Sequence, residues 1–105
     1  MIELCSVQEL YEGQSLGFDL PDQPVFAVRK DGEIFVYHNE CPHLGVELEF
    51  QENDFLDMDG ALIQCSTHGA LFEIETGHCL SGPCQGDHLK PAQFTVKDDV
   101  LYLLT

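Results

Sequence analysis

The sequence predicts an all-β domain, a small barrel or sandwich of antiparallel strands. Short apolar segments recur along the chain, turn residues separate them, and only residues 7–12 have the pattern of a helical turn. The 105 residues, 44% of them hydrophobic, suffice for one core and are too few for two. We therefore predict a single domain over residues 1–105.

Turn residues define the clearest strand pairs. The predicted strands are residues 25–28, 34–37, 61–64, 71–74, 93–96 and 100–104. Asp31-Gly32 separates the first two and supplies the positive φ that a tight hairpin turn requires. Glu75-Thr76-Gly77 ends the fourth strand, and Lys97-Asp98-Asp99 joins the last two into a closing hairpin.

The chain is strongly acidic, with 19 Asp and Glu residues against 4 Lys and Arg and a formal net charge of -15. Such a surface repels nucleic acid and anionic membranes, and it attracts a partner that carries a basic patch. The densest acidic run consists of Glu47, Glu49, Glu52, Asp54, Asp57 and Asp59. We interpret this run either as a solvated face or as a surface that steers a basic partner.

No targeting or membrane-spanning segment is evident. Residues 1–13 lack the basic and apolar regions of a signal peptide, and no apolar run approaches the roughly 20 residues that cross a bilayer. These features predict a cytoplasmic protein. In a reducing compartment, the odd count of five cysteines indicates metal ligands or free thiols rather than disulfides.

Two segments carry closely spaced Cys and His residues. Cys41 and His43 lie near the start of the long segment 39–59, and Cys65 and His68 follow the next predicted strand. Each pair offers one thiolate and one imidazole. Two such pairs at adjoining loop tips can hold a tetrahedral zinc ion or a two-iron cluster. The spacing C-x-H followed by C-x-x-H is less usual for structural zinc, and it favours the cluster.

These residues and their neighbours resemble the two cluster-binding boxes of Rieske-type [2Fe-2S] proteins. The matching stretches are Cys41-Pro42-His43-Leu44-Gly45, Cys65-Ser66-Thr67-His68-Gly69, Phe72, Thr76-Gly77, Gly82-Pro83 and the closing hairpin. The resemblance implies one [2Fe-2S] cluster per chain, with Cys41 and Cys65 on one iron. His43 and His68 would hold the other. It also implies a Rieske-type sandwich or barrel with a cluster-binding subdomain over approximately residues 39–84.

The ligand set is suited to an electron carrier. With two ferric ions, two sulfides, two thiolates and two neutral imidazoles, the oxidised cluster has a net charge of zero. Adding an electron to this neutral cluster costs less free energy than adding it to the anionic cluster that four thiolates would form. Compared with high-potential members of the family, Val46 and Thr67 replace the cysteines of a loop-tying disulfide. Ala70 and Phe72 replace a serine and a tyrosine whose hydroxyls donate to cluster sulfur. We therefore expect a potential at the low end of the Rieske range, roughly -150 to +300 mV.

Electron transfer, rather than catalysis, is the predicted function, because all four ligand positions would be filled and no nucleophile lies beside a base. The resemblance implies a ferredoxin that passes electrons from an NAD(P)H-dependent flavoprotein reductase to a terminal oxygenase. Two alternatives remain open. One is a ferredoxin-like small subunit of a nitrite reductase, and the other is a structural zinc module with no redox role. No apolar seam in the sequence requires a dimer.

The remaining cysteines and histidines are predicted to lie outside the site. We interpret Cys5 and Cys79 as small core residues and Cys84 as a bystander thiol. The histidines interpreted as surface or strand-edge residues are His38, His78 and His88, of which His88 is a candidate for a docking face. Gly82-Pro83 is either a lid over the cluster or an ordinary turn, since Gly allows close approach and Pro stiffens the chain.

Overall fold

The computed structural model describes residues 1–21, 23–40, 42, 48, 53, 55–65, 69–82 and 86–104. Over these residues it confirms the all-β prediction. The strands are β1 Ile2–Ser6, β2 Ser15–Phe18, β3 Val25–Lys30, β4 Glu33–His38, β5 Leu62–Gln64, β6 Leu71–Glu73, β7 Cys79–Ser81, β8 Phe94–Lys97 and β9 Val100–Leu103. The 3-10 turn Val7–Glu9 falls within the segment predicted to form a helical turn. No helix in the described ranges is long and apolar enough to cross a bilayer.

The strands form three antiparallel sheets of three strands each. Sheet 1 has the order β1-β9-β8, sheet 2 the order β2-β3-β4 and sheet 3 the order β5-β6-β7. One apolar cluster lies beneath sheets 1 and 2, and a second joins sheet 2 to sheet 3. Cys65 directly follows β5 of sheet 3 and belongs to the second cluster, which thus connects this candidate ligand to the rest of the fold.

Both predicted hairpin turns are confirmed, and the backbone shows why. Asp31 and Gly32 have φ angles of 54° and 80°, and Asp98 and Asp99 have 53° and 62°. Two successive positive φ angles characterise the type I′ turn, whose twist matches that of the flanking strands. The strand register agrees with this turn type, because Lys30 pairs with Glu33 and Lys97 pairs with Val100, which leaves two residues in each turn.

A carboxylate supports the first of these turns. Glu12 accepts hydrogen bonds from the N–H groups of Asp31 and Gly32, at 2.6 and 2.8 Å. These two bonds are the main reason that the pKa of Glu12 is lowered, with Arg29 contributing in the same direction. The ionised carboxylate therefore holds the tip of the β3–β4 hairpin.

Three strands were not predicted, and several boundaries differ by one residue. The strands that the sequence did not indicate are β1, β2 and β7. Ala61 and Ile74 were predicted to lie in strands and lie outside them. The N–H of Ala61 donates to the side chain of Asp57 at 3.0 Å, and the carbonyl of Ile74 accepts from the Tyr37 hydroxyl at 2.6 Å. The closing hairpin has residues 94–97 and 100–103 in its strands, instead of 93–96 and 100–104.

Aromatic residues hold sheet 2 against sheet 3 and the long loop. Phe26 of β3 stacks on Phe55 with ring centroids 4.4 Å apart and an interplanar angle of 5°. The Tyr37 hydroxyl, buried and bonded to the Ile74 carbonyl, joins β4 to the turn after β6. Burial, together with the nearby acidic residues Glu75 and Glu73, raises the pKa of Tyr37 to about 12. The phenol is therefore a permanent hydrogen-bond donor at this junction.

Candidate metal centre

Cys65 is the one predicted ligand that the structure describes. Cys41, His43 and His68 lie outside the described residues. Cys65 directly follows β5, and its side chain is fully buried in the apolar cluster that joins sheets 2 and 3. In the described part of the chain, no three Cys, His, Asp or Glu side chains converge on a metal position.

Two backbone hydrogen bonds close the second box at its base. The N–H of Cys65 donates to the carbonyl of Ala70, and the N–H of Gly69 donates to the carbonyl of Cys65, both at 2.8 Å. Gly69 has a φ of +70°, which favours glycine at this position. Since Gln64 is paired with Leu71, the box extends the β5–β6 hairpin, and Cys65 lies at the fixed base of that extension.

Gly82 packs directly on the second box. A Cβ at Gly82, where φ is +110°, would lie 2.8 Å from the Cα of Ala70 and 3.0 Å from its Cβ. Contacts this short are not tolerated, so only glycine fits. Gly82 therefore lies close against the backbone of the second box. Whether Gly82-Pro83 forms a lid over the cluster or an ordinary turn stays a prediction, because Pro83 and Cys84 lie outside the described residues.

The first box is anchored by a residue that the sequence did not reveal. Asn39 follows β4 and is buried; its N–H donates to the carbonyl of Pro24, and its Oδ1 accepts from the N–H of Leu48, both at 2.9 Å. Cys41 and His43 lie between Asn39 and Leu48 in the chain. Asn39 is therefore a positioning residue, since one side chain ties together the chain before and after the first box.

A second anchor holds the far end of the long loop to β2. The Ser15 hydroxyl donates to the carbonyl of Asn53 at 2.7 Å and accepts from the N–H of Phe55 at 3.2 Å. Asn53 Oδ1 accepts from the N–H of Gly17 at 2.7 Å. Asn53 itself has a φ of +66°, a conformation that Asn tolerates better than most residues. The otherwise unexplained strand β2 thus serves to hold this loop.

The glycine of the Thr76-Gly77 pair also has a steric explanation. Gly77 has a φ of +75°, and a Cβ there would lie 2.8 Å from Cε1 of Tyr37. Glycine therefore lets the turn after β6 pack against the buried phenol. This contact fixes the position of sheet 3, and with it the base of the second box, relative to sheet 2.

The other predictions for individual side chains can be compared with the structure. Cys5 and Cys79 are buried in the two apolar clusters, as predicted. His38 is half-buried at the end of β4, and His78 and His88 are exposed and paired with each other. From the acidic run, Asp57 accepts two backbone hydrogen bonds and Asp59 is exposed. Its other members, Glu47, Glu49, Glu52 and Asp54, lie outside the described residues.

The described residues fit a Rieske-type cluster. A buried thiol lies at the base of the second box, and a glycine packs on the box where any side chain would collide. The sequence of the box holds one Cys and one His, the residue types that ligate a Rieske-type cluster. Ala70 and Phe72 beside it are fully buried and apolar, which keeps water from this side. The fold and the site together therefore define a Rieske-type iron–sulfur domain.

The Rieske [2Fe-2S] domain family matches residues 1–97, and the chain belongs to this family. It is 33% identical over 86 residues to the ferredoxin component of the p-cumate 2,3-dioxygenase system of Pseudomonas putida, covering 81% of this chain and 70% of that one. It is 32% identical over 95 residues to the biphenyl dioxygenase ferredoxin subunit of Pseudomonas sp. (strain KKS102), covering 90% and 84%. The ferredoxin of Sphingomonas yanoikuyae B1 superposes with a TM-score of 0.76 at 28% identity, covering 99% and 97%.

These comparisons confirm the predicted family and fold class. Membership of this family implies a [2Fe-2S] cluster. The similar proteins are ferredoxin components of multicomponent oxygenase systems, which carry electrons and are not the catalytic subunits. The assignment of the four individual ligands stays a prediction.

Proposed function

We propose that this protein is a Rieske ferredoxin that carries one electron from an NAD(P)H-dependent flavoprotein reductase to a terminal oxygenase. The observation that carries the proposal is similarity over most of the chain to ferredoxin components of dioxygenase systems. A single domain over residues 1–105, with a cluster-binding subdomain over about 39–84, is part of the same proposal. The packing supports it, because Leu48 after the first box and Cys65 and Ala70 of the second box share one apolar cluster with sheets 2 and 3.

The proposed ligands are Cys41 and Cys65 on one iron and His43 and His68 on the other. When bound, the cluster would supply reversible one-electron chemistry. Cys65 supports the assignment, since it is buried at the closed base of the second box. The chain's own contribution is to fix both boxes through Asn39 and the Cys65–Ala70 hydrogen bond, and to exclude water with apolar side chains.

The charge of the chain supports a basic partner. Of the four cationic side chains, Arg29 donates to the carbonyls of Val7 and Leu10, and Lys30 lies 3.3 Å from Glu75. The many remaining carboxylates leave the surface strongly negative, which speeds encounter with a basic docking surface and makes the rate depend on salt. A cytoplasmic location accords with this proposal.

Metal analysis and spectroscopy test the proposal directly. We expect anaerobically purified protein to contain two irons and no zinc per chain, and to give, after dithionite reduction, the low-average-g EPR signal of a histidine-ligated cluster. A colourless, EPR-silent protein with one zinc would instead identify a structural zinc module. Electron delivery to a nitrite reductase but to no terminal oxygenase would support the other alternative.

The pair Ala70→Ser and Phe72→Tyr is expected to raise the midpoint potential. Both side chains are fully buried beside the second box, and in high-potential relatives hydroxyls at these positions donate to cluster sulfur. Such donors stabilise the more negative, reduced state. Protein-film voltammetry measures the shift, and Ala92→Ser, a buried alanine in the other apolar cluster, is the control. An unchanged or lower potential in the double variant would contradict the hydrogen-bond argument.

Neutralising Glu47, Glu49 and Glu52 to Gln is expected to slow reduction by an NADH-dependent flavoprotein reductase at low salt. The acidic run follows the first box, where it would steer a basic partner. Stopped-flow absorbance at several ionic strengths measures the rate, and the difference from wild type should shrink as salt screens the charges. The control neutralises Glu3, Glu33 and Asp98, three exposed acids elsewhere. Equal slowing in both variants would show that only net charge matters.

A further inference from the structure

His78 and His88 are exposed histidines that face each other across a pair of antiparallel segments. They form an antiparallel bridge just before β7. Their neighbours Cys79 and Leu89 are buried, so the alternation of side chains along extended backbone turns both imidazoles outward. The two rings therefore share one solvent-facing side of the ladder.

The hydrogen bonds show which kind of pair this is. The N–H of Leu89 donates to the carbonyl of Gly77, and the N–H of Cys79 donates to the carbonyl of Asp87, both at 2.8 Å. The bonds thus flank the two histidines rather than connect them. In such a non-hydrogen-bonded pair the Cα atoms are about 4.5 Å apart and the side chains are closest, which brings both imidazoles within reach of one ion.

One of the two rings already has the environment that is typical of a metal ligand. His88 Nδ1 lies 3.2 Å from the carbonyl oxygen of Leu89. With its proton on Nδ1, the ring donates to that carbonyl and leaves Nε2 as the nitrogen with a free lone pair. Histidines that bind metal almost always donate their other ring N–H to a carbonyl, a carboxylate or water, because this fixes the tautomer and the ring orientation.

We infer that His78 and His88 form a bidentate binding site for a divalent transition metal ion that prefers imidazole, such as Ni²⁺ or Zn²⁺. The net charge of -15 raises the local concentration of cations around the chain. No third Cys, His, Asp or Glu side chain joins the pair within the described residues. Water therefore completes the coordination, and the site is open and exchangeable.

This site is separate from the candidate metal centre. Ser81, the last residue of β7, is paired with Leu71 next to the second box, and His78 lies three residues earlier, just before β7 begins. At about 3.3 Å per residue, the histidine pair lies about 10 Å along the strand from that end of sheet 3. The inference does not rest on the proposed electron-transfer function.

Calorimetric titration of the cluster-loaded protein with NiCl₂, in a buffer that does not bind metal, tests the inference. We expect one Ni²⁺ per chain, with unchanged visible absorbance of the cluster. His78→Gln and His88→Gln should each weaken binding at least about tenfold, since each removes one of two chelating ligands. The control is His38→Gln, which removes the other histidine outside the two boxes and should leave the affinity unchanged.

Several results would overturn the site. Equal affinity in the wild type and both variants would place Ni²⁺ elsewhere, as would bleaching of the cluster in step with Ni²⁺ uptake. An equal loss of Ni²⁺ affinity in His38→Gln would mean that binding does not depend on the His78–His88 pair in particular. Because His78 and His88 are exposed, their substitution by Gln leaves the core unchanged, and the circular dichroism of the variants should equal that of the wild type.

Discussion

Cys65→Ala should abolish the two-iron spectrum and lower the melting temperature by more than about 10 °C. Cys65 is the proposed ligand that the structure describes, buried at the base of the second box. Without its thiolate one iron loses half of its protein ligands. Because cluster binding contributes to folding free energy, the loss reaches the stability of the whole chain. Visible absorption, iron analysis and thermal unfolding measure the effect.

Cys79→Ala is the matched control, because Cys79 is equally buried in the same apolar cluster. Its Sγ donates to the carbonyl of Ser81 at 3.4 Å. Loss of this weak bond and of one buried sulfur costs about 1–2 kcal/mol, with the cluster retained. If Cys65→Ala kept two irons and a full spectrum, the ligand assignment would be wrong. If both variants lost the cluster equally, packing rather than ligation would explain the loss.

The sequence was most informative where structure depends on neighbouring residues. The β3–β4 and β8–β9 hairpins follow from Asp31-Gly32 and Asp98-Asp99, because residues that accept positive φ determine a type I′ turn locally. For Gly82 the sequence predicted either a lid over the cluster or an ordinary turn, and the packing on Ala70 was not predicted. The two boxes were recognisable because few residue types bind iron.

The sequence was least informative where a partner lies far along the chain. Strand β1 forms because it pairs with β9, which lies at the other end of the sequence. Glu3, for example, is paired with Tyr102. Strand β2 is four residues long and contains Gly17, which weakens the strand pattern. Nothing in a single sequence distinguishes these segments from loops, since the pairing that stabilises them is not local.

The polar anchors of the site were missed for a related reason. Asn39 and Ser15 are the two buried polar residues of the described chain, and each bonds to backbone groups of the long loop. In the sequence, an Asn after a strand or a Ser before one is also typical of an exposed turn. Only the fold shows that Asn39 ties the chain on either side of the first box together.

Gly82→Ala should destabilise the second box and reduce cluster loading. The variant faces two costs: backbone strain at φ +110°, and a Cβ that would lie 2.8 Å from the Cα of Ala70. Strain costs about 1–2 kcal/mol and overpacking about 1–3 kcal/mol. Iron content after purification and the midpoint of urea unfolding measure the effect.

Gly86→Ala separates these two costs. Gly86 has a similar φ of +99°, but among the residues that the structure describes no atom lies within 4 Å of a Cβ built there. Gly86→Ala should therefore lose only the stability that backbone strain costs, and the variant should keep its two irons. The difference between the two variants gives the cost of the contact with Ala70, and it should appear in cluster content as well as in stability. Equal losses in both would show that Gly82 serves only its turn, and that its packing on the second box does not hold the site together.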